Sequence, residues 1–149
     1  MKEQVEKGVP ELLRERGLRV TPQRRAVWCA FEAGSAGHLS ADDVFRAASR
    51  ELPELSRATV YNALNEFVAA GLLTAIEGAG VQLFDANVRP HHHFRCRSCR
   101  RLFDVHPSGI ERLGLTEDGF AVERTKVLFE GLCGTCAAGA PAGATRKDR

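Results

Sequence analysis

Apolar residues recur at helical spacing through the first half of the chain and at alternating, strand-like spacing beyond it. Residues 1–10 are polar and predict a frayed end. Glu11 to Arg16 predicts a short helix stopped by Gly17. Thr21 is a suitable N-cap and Pro22 fits the first helical position. Val27, Ala30 and Phe31 then follow helical spacing up to Gly34. Cys29 lies inside this helix beside Trp28, where a cysteine behaves as a small buried hydrophobe. The segment SAGHL predicts a loop carrying His38. Ser40 and Asp43 form a capping box for a third helix with Val44, Phe45, Ala47 and Ala48 on its apolar side, and Pro53 ends it. Ser56 caps a fourth helix, RATVYNALNEFVAAG, closed by Gly71.

In the fourth helix Val60, Leu64, Phe67 and Val68 define a core face. Thr59 and Asn62 point nearly opposite, and Arg57 and Tyr61 flank the stripe. LLTAIE, the turn GAG and VQLFD then predict a two-stranded hairpin. Helices followed by such a hairpin describe a winged helix-turn-helix, with the fourth helix entering the major groove. Asn62 suits an adenine edge, and Arg57 suits guanine or phosphate. Arg24 and Arg25 suit phosphate contacts. The competing reading of this half is a helical packing domain without a nucleic-acid role.

Past a linker at Asn87 to Pro90, HHHFRC, RRLFDV and FAVERTKVLFEGLC read as strands. PSGIERL predicts a short helix between the last two, and Gly114 to Gly119 a loop. The tail from Ala137 is too poor in large apolar residues to pack. The expected fold class is α+β: a winged-helix domain over 1–85, a hinge over 86–90, a small α/β domain over 91–136 and a disordered tail over 137–149.

A formal charge of +2 in 149 residues does not by itself announce a nucleic-acid partner, so any basic surface has to be local. No signal-peptide run is present, and no stretch approaches the roughly 20 apolar residues of a membrane span. The expected location is the cytoplasm, where thiols stay reduced.

That bears on the five cysteines. Cys96-x-x-Cys99 and Cys133-x-x-Cys136 supply four thiolates, the donor set of a closed structural zinc site. The alternatives are disulfides, disfavoured in a reducing compartment, and a redox dithiol, for which no thioredoxin-like pattern is present. A second constellation is His38, Asp85, His91, His93 and Asp104. Strand alternation puts His91 and His93 on one face and His92 on the other. Two imidazoles and two carboxylates in this stretch favour a first-row divalent ion such as Fe²⁺ or Mn²⁺. With His38 and Asp85 from the first half, one ion would tie the two halves together. A His triplet that merely scavenges metal is the alternative. His92 and His106 read as solvated.

The ordered series RVTPQRRAV, HLSADDVF, SRATVYNAL with EFVAAGLL, HHHFRCRSC and GLCGTC resembles the ferric uptake regulator (Fur) family from about Leu18 to Cys136. The resemblance implies a winged-helix DNA-binding domain, a zinc-bearing dimerisation domain and a homodimer on a pseudo-palindromic operator. DNA contacts would come from Arg24, Arg57, Thr59, Tyr61 and Asn62. Aspartate at 85 and 104, where the iron-sensing branch usually has glutamate, resembles the peroxide-sensing PerR-type branch. There, bound iron and peroxide convert a ligand histidine, here His38 or His91, to 2-oxo-histidine and release DNA. A plain iron, zinc or nickel corepressor of the same family is the nearest alternative. The sequence departs from the family at Arg100, where glycine usually follows the second cysteine, and in a short segment between Asp104 and Phe120.

An enzyme is the reading from another class. A hydrolytic site needs an open metal position and a base, no GxSxG motif is present, and five converging ligands leave little room for a substrate. The chain is expected to be a regulator and not an enzyme.

Overall fold

The computed structural model describes residues 8–33, 37–78, 80–110, 119–123 and 125–139. The chain divides into two units, Met1–Arg89 and Pro90–Arg149. The first contains α1 (Val9–Glu15), α2 (Pro22–Ala33), β1 (His38–Ser40), α3 (Ala41–Glu51), α4 (Arg57–Ala69), β2 (Thr74–Gly78) and β3 (Val81–Asp85).

Local chemistry explains these boundaries. Thr21 Oγ1 accepts the Arg24 N–H at 3.2 Å and so caps α2. The capping box at α3 is complete: Ser40 Oγ accepts the Asp43 N–H at 3.1 Å, and Asp43 Oδ2 accepts the Ser40 N–H at 3.0 Å. Ser56 Oγ accepts the Thr59 N–H at the start of α4. Helices α1 and α4 end alike. Gly17 and Gly71 adopt φ of 70° and 69°, and the next amides, Leu18 and Leu72, reach back to Leu13 and Phe67 carbonyls. Glycine takes that left-handed position without a Cβ clash. Arg16 Nη1 donates to Ala70 O at 3.2 Å, linking the two helix ends.

The periodic positions form the core. Val27, Val44, Ala48, Val60, Leu64 and Phe67 are all buried, and Trp28 meets Phe67 edge-on at 5.8 Å between ring centres. Helices α3 and α4 with the β2–β3 hairpin make the winged helix-turn-helix. His38–Ser40 is a strand where a loop was expected. Three residues are too few for alternation to register in the sequence, and pairing with β3 forms the strand, giving sheet order β1-β3-β2. Helix α1 starts two residues earlier than expected, with Pro10 in its first turn.

The second unit contains β4 (His92–Cys96), β5 (Leu102–Val105), β6 (Leu128–Gly131) and a single turn, α5 (Gly134–Ala137). Strand β4 is central, antiparallel to β5 and parallel to β6. The long last strand expected from Phe120 is only four residues long. Its ladder stops where the Val127 N–H donates to His92 Nδ1 at 3.2 Å instead of to a backbone carbonyl. His92 is therefore bonded, not simply solvated. Gly34, the turn residue Ala79, residues 111–113 of the expected 107–113 helix, residues 114–118 of the expected loop, residues 1–7 and the tail from 140 lie outside the described residues, while 107–110 form a turn.

Cys96 is the one buried apolar side chain among the described residues of the second unit, while the first unit holds nineteen in one cluster. Cys29 is half-buried, not buried, and borders a cavity of about 430 Å³ between α2 and α3. Burial and then the Glu32 charge push its thiol pKa up, so it stays protonated at neutral pH. Among the described residues no helix is long and apolar enough to cross a membrane.

Phe67 is fully buried, so Phe67→Ala should lower unfolding free energy by about 3–5 kcal/mol, seen as a lower urea midpoint with an unchanged slope.

Candidate metal centres

Strand β4 ends at Cys96, and the chain turns at once to present Cys99. The β4–β6 register sets Cys96 opposite Gly131, which brings Cys133 and Cys136 of α5 to the same place. The four sulfurs lie within 4.8 Å of one another, with Cys99 and Cys133 at 3.9 Å, and none of the five cysteines forms a disulfide. A tetrahedral zinc–thiolate centre with bonds of about 2.3 Å needs sulfur–sulfur edges of about 3.8 Å. The donor set fits.

The electrostatics point the same way. The Cys133 N–H donates to Cys96 Sγ at 3.3 Å and, against the effect of burial, brings that thiol down to about 6. Burial raises Cys99, but hydrogen bonds from the Arg101 backbone and guanidinium outweigh it and leave the thiol below its ordinary value. Cys136 accepts help from Ser98, yet burial and the neighbouring sulfurs push it up to about 11. Thiols that resist joint ionisation need a cation among them. Arg101 supplies part of that charge from outside, and the nearby Cys99 and Cys133 sulfurs hold its guanidinium more firmly protonated. Sequence reasoning missed Arg101; the only signal was a basic residue two places after a CxxC motif.

Arg100, where the family resemblance leads one to expect glycine, sits at φ 59° in the turn after the first cysteine pair. Its N–H still donates to Cys96 O at 2.9 Å, so the turn closes despite the side chain. A non-glycine residue there costs roughly 1–2 kcal/mol.

The histidines and aspartates form two sets, one in each unit. In the first, β1 and β3 pair His38 directly with Asp85, and Nε2 and Oδ2 are 3.6 Å apart with both side chains nearly excluded from solvent. The Asn87 N–H holds Asp85 Oδ1 at 2.7 Å, which fixes the carboxylate. In the second, β4 and β5 pair His93 with Asp104. His91 Nε2 lies 2.9 Å from His93 Nε2, and Asp104 Oδ1 is 3.4 and 3.8 Å from the two rings. His91 and His93 share a face, as alternation required. Three converging donors of nitrogen and oxygen suit a divalent first-row ion better than a thiolate-seeking one.

The residues expected at DNA divide differently. Tyr61 and Asn62 are exposed on α4, Thr59 is half-exposed and its hydroxyl meets Ser56 Oγ at 2.9 Å. Arg24 is engaged throughout: Nε and Nη2 bond Glu66 Oε2 at 2.8 and 2.7 Å, and Nη1 donates to Arg19 O at 2.8 Å. It braces α2 against α4 and would have to leave Glu66 to reach a phosphate. Arg57 pairs with Asp42.

Arg100→Gly should raise unfolding free energy by about 1 kcal/mol and Arg100→Ala should not, measured by urea unfolding of the zinc-loaded protein.

Comparison with known proteins places this architecture. Residues 15–128 match the ferric uptake regulator family. The peroxide operon regulator of Bacillus subtilis is 35% identical over 130 residues, covering 85% of this chain and 89% of that protein. The ferric uptake regulation protein of Bordetella parapertussis is 34% identical over 132 residues, covering 85% and 95%. The solved structure of the ferric uptake regulator from Francisella tularensis with iron superposes with a TM-score of 0.70 at 26% identity, covering 81% of this chain and 96% of that one. With the family matched across both units, the chain belongs to the ferric uptake regulator family.

Proposed function

We propose that this chain is a metal-dependent, peroxide-responsive transcriptional repressor that binds operator DNA as a homodimer. The observation that carries the reading is the pair of histidine–aspartate sets, His38 with Asp85 and His91, His93 with Asp104, each fixed by strand register. Both carboxylates are aspartates, the residue type that the resemblance ties to the peroxide-sensing branch. The 35% identity to a peroxide operon regulator supports the same branch.

Each set alone is an incomplete coordination shell. Together the five residues supply the imidazole and carboxylate donors that Fe²⁺ or Mn²⁺ prefers. Cys96, Cys99, Cys133 and Cys136 hold zinc permanently, fixing the end of β4 and with it the strand that carries His93. Exposed Phe120, Val122, Leu128, Phe129 and Leu132 give the second domain an apolar surface suited to a second copy. Tyr61 and Asn62 on α4 read bases, with Thr59, Arg57 and Arg24 nearer the backbone.

Bound ferrous iron supplies the redox activation of hydrogen peroxide that manganese does not. The chain's own part is to hold the His38 and His91 rings close to that reaction. One oxygen atom of the peroxide is added at imidazole C2, the ring is oxidised, and water is the other product. A 2-oxo-imidazole is a poor ligand. With a ligand lost the ion is released, and the DNA-competent arrangement is no longer favoured. The event consumes the site, so the protein is a regulator and not a catalyst.

The ferric uptake regulation relative at 34% identity supports a second reading, a metal-level corepressor with the same sites. Mass spectrometry separates the two. After brief exposure to dilute peroxide, the peptides holding His38 and His91 from the iron-loaded protein should gain the mass of one oxygen, and those from the manganese-loaded protein should not. Unmodified peptides in both forms would favour the corepressor.

A further inference from the structure

Arg57 opens α4 and is the only basic residue in it, so the helix proposed to enter the groove carries a single cation. That cation is turned back onto the preceding helix. Its guanidinium pairs with the Asp42 carboxylate on α3 and lies 4.5 Å from the centre of the Phe45 ring. Asp42 has no part in capping α3, because Asp43 performs that role and is also bonded by Arg46. In the first turn of α3 the helix dipole favours the Asp42 carboxylate whether or not Arg57 is beside it. Both partners are well exposed, at 59% and 65%, so the pair is weak and easily exchanged in water.

A DNA phosphate presents Arg57 with the same chemistry as the Asp42 carboxylate: a planar-approach, two-oxygen anion that a guanidinium grips through two N–H groups. It adds the release of condensed counterions, which a carboxylate on the protein does not. We infer that Asp42 is an intramolecular stand-in for a backbone phosphate: it parks Arg57 against Phe45 in the free protein and yields it to DNA when α4 docks. The inference rests on the DNA-binding reading above. Its consequence is a built-in reduction of affinity, which leaves tight binding dependent on both copies of a dimer engaging at once.

The test is a double-mutant cycle on full-length, Mn²⁺-loaded protein, titrated against a short duplex that the wild-type protein selects from a random-sequence pool. Asp42→Asn should tighten binding about three- to fivefold, the upper part of the range of an exposed pair. In an Arg57→Ala background the same change should have an effect of less than about 1.5-fold, because there is no longer a cation to liberate. Arg57→Ala alone should lower the slope of log affinity against log salt by about 0.9, one phosphate contact. Equal tightening in both backgrounds would mean that Asp42 only repels DNA, and the inference falls. Loosening by Asp42→Asn would make Asp42 a brace that positions Arg57, and the inference falls equally; so does an unchanged affinity. Thermal unfolding of each variant identifies any that lose affinity by misfolding, and Asp42→Glu, which keeps the charge, should restore wild-type binding. If the wild-type protein selects no duplex at all, the DNA-binding reading itself fails, an outcome distinct from a duplex that binds but shows no coupling.

Discussion

Antiparallel register sets a histidine opposite an aspartate twice in this chain, His38 against Asp85 and His93 against Asp104. Everything proposed for metal binding depends on that constraint. Directly opposed residues bring their Cβ atoms to about 5 Å, close enough for an imidazole and a carboxylate to share a ligand. A slip of one residue would turn every donor on the strand to the opposite face. The register has to be held, and the two units hold it by different means. In the first, β3 lies between β1 and β2, and Phe84 next to Asp85 is buried in the helical core. In the second there is almost no core to do this.

Zinc takes the place of that core. Cys96 terminates β4 and is the buried anchor among the described residues of its unit, and the four-sulfur cluster fixes the ends of β4 and β6 together. A small domain with little apolar burial commonly needs such a staple. The perturbed thiols, one lowered to about 6 and another raised to about 11, record the same need from the electrostatic side. Arg101 partly neutralises the cluster, and Arg100 accepts a left-handed conformation to let the turn close. The four-cysteine cluster and the His93–Asp104 pair thus share one strand, with Cys96 at its end and His93 near its start.

Long periodic elements and strong caps were legible in the sequence. The α4 stripe, the Ser40–Asp43 box and the terminating Gly71 each have one dominant local cause, and each appears as expected. Strand β1 was not legible, because a three-residue strand is made by its partner β3 and leaves no period of its own. The last strand was overestimated because its apolar residues continue past the point where His92 intercepts the backbone ladder. The pairing of both cysteine motifs was readable from spacing alone, while Arg101 was not, since a surface arginine and a thiolate partner look identical in one dimension. The engagement of Arg24 with Glu66 was equally invisible, for the two stand 42 positions apart.

We propose that an ion held by these histidines and aspartates couples peroxide to DNA release. A mobility-shift titration with a duplex selected by the wild-type protein tests it most directly, using Fe²⁺ or Mn²⁺, each with and without dilute hydrogen peroxide. The account predicts retardation with either metal and none without metal, with peroxide abolishing the iron complex and leaving the manganese complex intact. Equal persistence of both complexes under peroxide, or equal loss of both, would contradict it.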